Sequence, residues 1–303
     1  MESLMSATAV KWLQDGRVLL ATSQSGVFIK ERGKWNPCLH IGTKKIRDFH
    51  ESGAYIYGVG DAGLFIRSSS GGNGWTIKRF PTKATVWNVS SSQNGLVVAH
   101  GEKLLFISYN FGETFKVIDP FSNISHNKPS IRSLVLYKNY LFIGTKVHGE
   151  HGGVYMINLK TMRCIQVKRE SERMTASLTF IDGFLIAGFG SSKGKNGSVE
   201  YSSADEILLF QEETTWFKCN GEIQENSYLH ISGEKDYIYA TSNQNESGYS
   251  TVSKICLSNG QIVPYWKVKG HGWRVASDRE DFAVAGHYES IFFQRNKDQI
   301  LLH

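Results

Sequence analysis

LVVAHGEKLLFISYNFGETF, residues 96–115, sets the reading of the whole chain. Leu96 to Ala99 form an apolar run that ends on a small residue, His100-Gly101 interrupts it, and Leu104 to Ser108 resumes it. A polar tip from Ser108 to Phe115, with Gly112 inside it, then turns the chain toward a third run. Apolar runs this short, divided by turn residues, are the pattern of adjacent antiparallel strands.

The unit recurs along the chain. The small residue that ends each second strand stands at Ala21, Gly58, Ala99, Gly144, Gly188, Ala240 and Ala285, at intervals of 37, 41, 45, 44, 52 and 45 residues. Such intervals sit around the ~40–45 residues of a four-stranded propeller blade. A strand of matching phase precedes each marker (ATAVKW, KIRDFH, TVWNVS, SIRSLV, MTASLT, NSYLHI, HGWRVA), and another such as GVFIK or KLLFIS follows. No long helical period intervenes. The expectation is an all-β chain, a seven-bladed β-propeller of four-stranded antiparallel blades with the first strand of each innermost. The blades are expected at about 5–39, 44–80, 84–119, 129–168, 173–219, 225–268 and 270–303, in one domain spanning 1–303. QILLH would close blade seven from within, so that the ring shuts by packing of faces and not by a shared strand.

The tip Ser108-Tyr109-Asn110-Phe111-Gly112-Glu113-Thr114-Phe115 resembles the Asp-box, S-x-D-x-G-x-T-W, of BNR-repeat, sialidase-like propellers, with Asn110 for Asp and Phe115 for Trp. In blade number the chain is nearer to the YCF48-like assembly factors of the same broad group. The resemblance implies that Ser108, Asn110, Gly112 and Thr114 shape a hairpin away from any active site. It also raises a hydrolase, because sialidases use an arginine triad, a Tyr nucleophile with a Glu partner, and an Asp acid. Arg47, Arg132, Arg274 and Tyr228 supply those residue types. The F-R-I-P-like motif of the family is absent, however, and no paired carboxylates stand at matching inner positions, as glycoside hydrolysis requires. A non-catalytic protein without cofactor or metal is expected.

Composition narrows the class further. Hydrophobic residues at 41% suffice for cores between blades, and 30 Gly against 5 Pro suit tight hairpins better than disorder. A net charge of +6 permits an anionic partner without calling for nucleic acid. Cys38, Cys164, Cys219 and Cys256 are far apart and show no metal spacing, so reduced thiols are expected. No basic leader, apolar leader segment or run of transmembrane length is present, which leads to the expectation of a soluble, cytoplasmic protein without membrane contact.

Candidate binding residues follow from position in the repeat. Twelve residues before the markers stand Ala9, Trp87, Arg132, Ala176, Tyr228 and Trp273, and Arg47 joins them if blade two is one residue shorter. Side chains there can ring the channel mouth, where guanidinium forks hold an anion and aromatic faces stack on it. His271 and Arg274 adjoin Trp273, so Arg47, Trp87, Arg132, Tyr228, His271, Trp273 and Arg274 form the candidate ligand site. The competing reading makes them core wedges and blade ion pairs, for instance with Asp48.

The links between second and third strands swell in blades four to six, to KVHGEHGG, FGSSKGKNGSVEYSSAD and SNQNESGYS. Long loops of this kind usually carry function. Lys146, His148, His151, Lys193 and Lys195 lie in them and are the candidate partner-binding residues. The pair His148 and His151, with Glu150, lacks a third ligand for a metal. Two uses remain open: a protein docked on this face, or a small anion such as a nucleotide or sugar acid in the channel mouth.

Overall fold

The computed structural model describes residues 6–24, 26–190, 196–209, 214–221, 225–288, 290–294 and 297–301. Successive sheets follow chain order. The first comprises β1 (Ala7–Trp12), β2 (Val18–Thr22), β3 (Gly26–Glu31) and β4 (Lys34–Leu39). The second comprises β5 (Ile46–Ser52), β6 (Tyr55–Gly60), β7 (Leu64–Ser70) and β8 (Asn73–Arg79). The third comprises β9 (Asn88–Ser91), β10 (Val97–His100), β11 (Leu105–Ser108) and β12 (Lys116–Ile118). The fourth comprises β13 (Ile131–Tyr137), β14 (Tyr140–Thr145), β15 (Gly153–Asn158) and β16 (Cys164–Arg169). The fifth comprises β17 (Met174–Ile181), β18 (Phe184–Gly190), β19 (Ser198–Ser203) and the two-residue β20 (Phe217–Lys218), with a short helix α1 (Ala204–Leu208) after β19. The sixth comprises β21 (Asn220–Gly221), β22 (Tyr228–Glu234), β23 (Tyr237–Ser242), β24 (Tyr249–Cys256) and β25 (Gln261–Lys269). The last comprises β26 (Gly272–Asp278), β27 (Asp281–Gly286), β28 (Ile291–Gln294) and β29 (Lys297–Leu301).

The expectation of seven equivalent four-stranded antiparallel blades is corrected here. Six blades are fully built, and the seventh is partial: β28 pairs with only Phe282, Ala283 and Val284 of β27. Blade six departs too, because β21 runs parallel to β25 and makes a fifth strand on its outer edge. The repeat markers sit on second strands, so their spacing counts inner hairpins and does not test whether the outer strands are complete. The parallel strand comes from the long connection out of blade five, which satisfies an edge that would otherwise be open.

Within each sheet the strands form a meander, and its tight turns explain the order. Arg32-Gly33 and Asp182-Gly183 have positive φ at both residues (49° and 82°, 49° and 81°), the geometry that matches the twist of two paired strands. At the tip after β11, the Ser108 hydroxyl accepts from the amides of Asn110 and Gly112, and Asn110 Oδ1 accepts from the Thr114 amide. Ser68 repeats the arrangement after β7, accepting from the amides of Ser70 and Gly72.

Adjacent sheets stack through apolar layers. Tyr57, Phe65, Phe80, Val97 and Phe106 fill the space between blades two and three. Phe142, Met156, Leu185 and Phe189 do so between blades four and five. At the seam, Ala276, Ala283 and Ala285 pack on Val10, Trp12, Val18 and Leu20, and among the described residues no strand crosses from one sheet to the other.

The innermost strands β1, β5, β9, β13, β17, β22 and β26 contact one another in that order, with β26 against β1. They lie side by side without a shared ladder, so side chains satisfy backbone groups across the gaps. Asp48 Oδ2 accepts from the Val89 amide at 3.1 Å, Ser90 Oγ from Leu136 at 3.1 Å, Ser177 Oγ from Ile231 at 3.1 Å and His230 Nδ1 from Val275 at 3.3 Å. Ser133 Oγ donates to the Thr175 carbonyl at 2.8 Å. A buried amide stripped of its acceptor costs about 1–3 kcal/mol. Ser177→Ala is therefore expected to lower unfolding free energy by about that amount in urea titrations. An unchanged midpoint would mean that the Ile231 amide finds water or another acceptor.

Candidate functional site

Six of the seven innermost strands begin with the same irregularity, β9 being the exception. Pairing with the second strand skips one residue between Ala7 and Ala9, Ile46 and Asp48, Ile131 and Ser133, Thr175 and Ser177, Tyr228 and His230, and Gly272 and Arg274. A residue skipped this way is a β-bulge, a device that re-aims a side chain at the rim of a sheet. The skipped residues are Thr8, Arg47, Arg132, Ala176, Leu229 and Trp273, and Trp87 immediately precedes β9 in the third blade. Four of the candidate ligand residues thus stand in one column at the channel mouth.

Three of them meet. The guanidinium carbons of Arg47 and Arg132 lie 5.1 and 5.6 Å from the centre of the Trp87 ring, within cation–π range. Arg47 is also held by Asp61, through Nε–Oδ1 at 2.8 Å and Nη2–Oδ2 at 3.3 Å, and Thr85 donates to the same carboxylate. Arg132 is different: among the described residues its guanidinium makes no hydrogen bond or ion pair beyond the Trp87 ring. Crowding by the surrounding strands, with the nearby charge of Arg274, lowers its pKa to about 10. Its side chain is half-buried.

Arg274 joins the group from the far side. It is buried; its Nε donates to the Arg47 carbonyl at 3.0 Å and its Nη2 to the Trp87 carbonyl at 2.7 Å, with Asp48 at 3.8 Å. It therefore spans from blade seven to blades two and three and acts as a brace across the channel.

The remaining candidates separate from this group. Tyr228 lies one position before the bulged Leu229 and is 4% exposed in the core between blades five and six. Burial pushes its phenol up, so it is placed as a core wedge and not at the mouth. Trp273 is exposed at 39% and stacks on His271, with ring centroids 4.8 Å apart. Tyr249 and Tyr288 are exposed on the same face, and Tyr288 covers Gly270 so closely that a Cβ there would lie 2.7 Å from its ring. These aromatics were not singled out from sequence.

Lys146 is exposed and 3.9 Å from Glu102. His148 spends both ring nitrogens locally: Nδ1 accepts from the His151 amide at 3.0 Å and Nε2 donates to the Asn127 carbonyl at 2.6 Å. That leaves it no lone pair for a metal, and His151 stacks beside it at 5.4 Å. Lys193 and Lys195 lie outside the described residues. Among the described residues no three His, Cys, Asp or Glu side chains are grouped for a metal ion, and no helix is long and apolar enough to cross a membrane.

The architecture and the channel mouth define a β-propeller, and solved structures bear that out. YCF48 from Cyanidioschyzon merolae superposes with a TM-score of 0.71 at 13% identity, over 98% of each chain. A chain of the mitotic checkpoint complex reaches 0.69 at 11% identity, over 96% of this chain and 90% of that one. The structure titled YCF48 bound to D1 peptide reaches 0.64 at 10% identity, over 95% and 91%. No family model matches the sequence. The uncharacterized protein YkuO of Bacillus subtilis (strain 168) is 38% identical over 300 residues, covering 98% of both chains, and this chain belongs to the same family.

Three histidines around the channel are held neutral. Burial lowers the pKa of His50 to about 3, with Lys11 adding to the effect. Burial does the same to His100, also to about 3, with Arg132 and Arg274 contributing. His230 lies well below its ordinary value for the same reasons, with Arg274 and Lys11 beside it. His100 is buried, not a loop residue: its Nε2 meets Asn88 Oδ1 at 3.1 Å. Since the unfolded chain binds these protons at pH values below about 6.5 and the folded chain does not, stability is full above 6.5. It should then fall as the pH drops from about 6.5 toward 3. Urea midpoints compared at pH 8, 6 and 5 would show a decline already above the carboxylate range; a flat profile down to pH 5 would contradict neutral burial.

Proposed function

We propose that the protein is a soluble, cytoplasmic, non-catalytic binding propeller, a single domain that engages a protein partner with its loop-bearing face and channel mouth. The observation that carries the reading is Arg132, a crowded guanidinium with no carboxylate partner among the described residues, set beside Trp87 in the mouth. Around it the same face offers Trp273, Tyr249 and Tyr288, exposed aromatics of the kind that anchor interfaces together with Arg. The link 146–152 adds the locally ordered His148 and His151; Lys193 and Lys195 stay candidates from the sequence alone. Protein binding by relatives of the fold supports the reading: YCF48 is described bound to a D1 peptide, and another neighbour is a component of the mitotic checkpoint complex.

A second reading has one observation in its favour. An unpaired guanidinium over an indole is also what a small anion with a flat body, such as a nucleotide or sugar acid, would use. A sialidase-like hydrolase is disfavoured, because Tyr228, the only tyrosine proposed as nucleophile, is enclosed in core.

The partner can be recovered from the native source by pull-down and identified by mass spectrometry of proteins and co-purified small molecules. Its affinity is then measured for Arg132→Ala with Trp273→Ala, and for a deletion of residues 191–198. A protein on the rim is expected to lose affinity with both changes and most with the deletion. A channel ligand should lose roughly 2–4 kcal/mol with the double substitution alone. Unaltered binding by both variants would place the interface on another face and remove the proposal.

A further inference from the structure

Below the Arg274 brace the channel opens into an axial cavity of about 190 Å³. A cavity needs only ~10–15 Å³ of such space to hold one water, so this one has room for several or for a small ion. Its walls are the innermost strands, and its polar lining includes Lys11, Asp48, His50, His230, Ser232 and Arg274. Lys11 stands one residue before the end of β1 and Gly233 one before the end of β22, so the cavity reaches the half of the channel nearer the short hairpins. The mouth with Arg132 is at the other end.

Charge in this cavity is out of balance. Lys11 is half-buried, its side chain lines this volume, and among the described residues its ammonium makes no hydrogen bond. Asp48 feels its charge, but Asp48 Oδ2 already accepts from the Val89 amide and from Asn88 Nδ2. Glu51 feels it as well, while its Oε2 accepts from the Gln14 amide at 2.8 Å. Lys11 and Arg274 thus line the cavity against Asp48, already committed to other donors, while outside the lining Glu51 adds a negative charge and Arg132 a positive one. An ammonium drawn partly out of water without a hydrogen bond is costly, and burial accordingly pushes the Lys11 pKa down while Glu51 and Asp48 act to raise it.

Neutral donors complete the lining. His230 accepts the Val275 amide on Nδ1, which leaves its proton on Nε2. Ser232 brings a hydroxyl from the same strand. Donors from different strands around one small volume match a tetrahedral anion, whose oxygens each need a hydrogen bond, and the two cations exclude a metal ion.

We infer that the axial cavity is a binding site for a small tetrahedral oxyanion of the phosphate or sulfate class, held by the Lys11 ammonium with Arg274 and neighbouring neutral donors. The inference does not depend on the partner proposed for the mouth, since Lys11 belongs to the other half of the channel.

The test uses the full chain and inorganic anions. Phosphate, sulfate, acetate and chloride are titrated separately at equal ionic strength, with melting temperature and calorimetric binding as readouts. Saturable one-to-one binding of phosphate or sulfate is expected, with a rise in melting temperature that acetate and chloride do not reproduce. Lys11→Met should weaken that binding about tenfold or more, the effect of losing one charged hydrogen bond. Lys11→Arg should retain most of it, and Arg132→Ala should leave it within about twofold. If Lys11→Met fails to fold, the Lys11→Arg variant and the anion selectivity of the unaltered protein still decide the question. No saturable oxyanion binding, equal response to acetate or chloride, binding unaffected by Lys11→Met, or loss through Arg132→Ala alone would each overturn the assignment.

Discussion

A propeller has to hold strands side by side that cannot hydrogen-bond to one another, and here the solution is a hand-over of single side chains. Asp48, Ser90, Ser133, Ser177 and His230 each reach from one innermost strand to the backbone of the next. Apolar layers supply the adhesion between sheets, but they are tolerant of small slips. The hand-over bonds are directional and fix each sheet in height and angle relative to its neighbour. The bulges that begin the innermost strands follow from the same crowding: the chain enters the centre of the ring at a steep angle, and one residue is thrown out of the ladder to permit it. Everything that makes the mouth chemically distinctive is carried by those thrown-out residues.

This explains which parts of the molecule were legible in the sequence. Second strands were easy to find because they are buried on both faces and end on a small residue, as Leu96 to Ala99 does. The channel column was found in part for a related reason: in blades four and seven the skipped residues Arg132 and Trp273 lie a constant distance from that marker. In blade six the distance changes by one, so Tyr228 was put at the mouth where Leu229 stands. A single-residue change in register moves a side chain from rim to core, and no local signal reports it. The parallel strand β21 was equally silent, since two residues, Asn220 and Gly221, carry no strand pattern and are recruited by an edge distant in sequence. Arg274 was singled out as a ligand residue, and two of its guanidinium nitrogens, Nε and Nη2, are taken by the carbonyls of Arg47 and Trp87, contacts across more than a hundred and eighty residues.

The channel is divided by that same guanidinium. Arg274 ties blade seven, the least complete sheet, to blades two and three. In doing so it stands between the mouth, where Arg132 meets Trp87, and the cavity, where Lys11 sits among polar groups. The two ends differ in the kind of visitor they suit. The mouth is aromatic and flanked by long links, whereas the cavity is small and lined by donors on the innermost strands. Asp48 stands at the boundary and contributes to both, by bonding β9 and by moderating the cations on either side.

The seam between the first and last sheets is closed by alanines against tryptophan and valine, and among the described residues no strand passes from one to the other. Apart from the two residues of β21, every sheet is consequently drawn from one uninterrupted stretch of sequence. The genetic unit and the structural unit then coincide, so duplication or loss of a segment some forty residues long adds or removes a whole blade without unravelling its neighbours. Blade number in such a lineage is free to drift while the hand-over residues are copied along with each segment. The unequal third and fourth strands of the present chain are the mark of copies that have since diverged at their outer edges, where the ring makes the fewest demands.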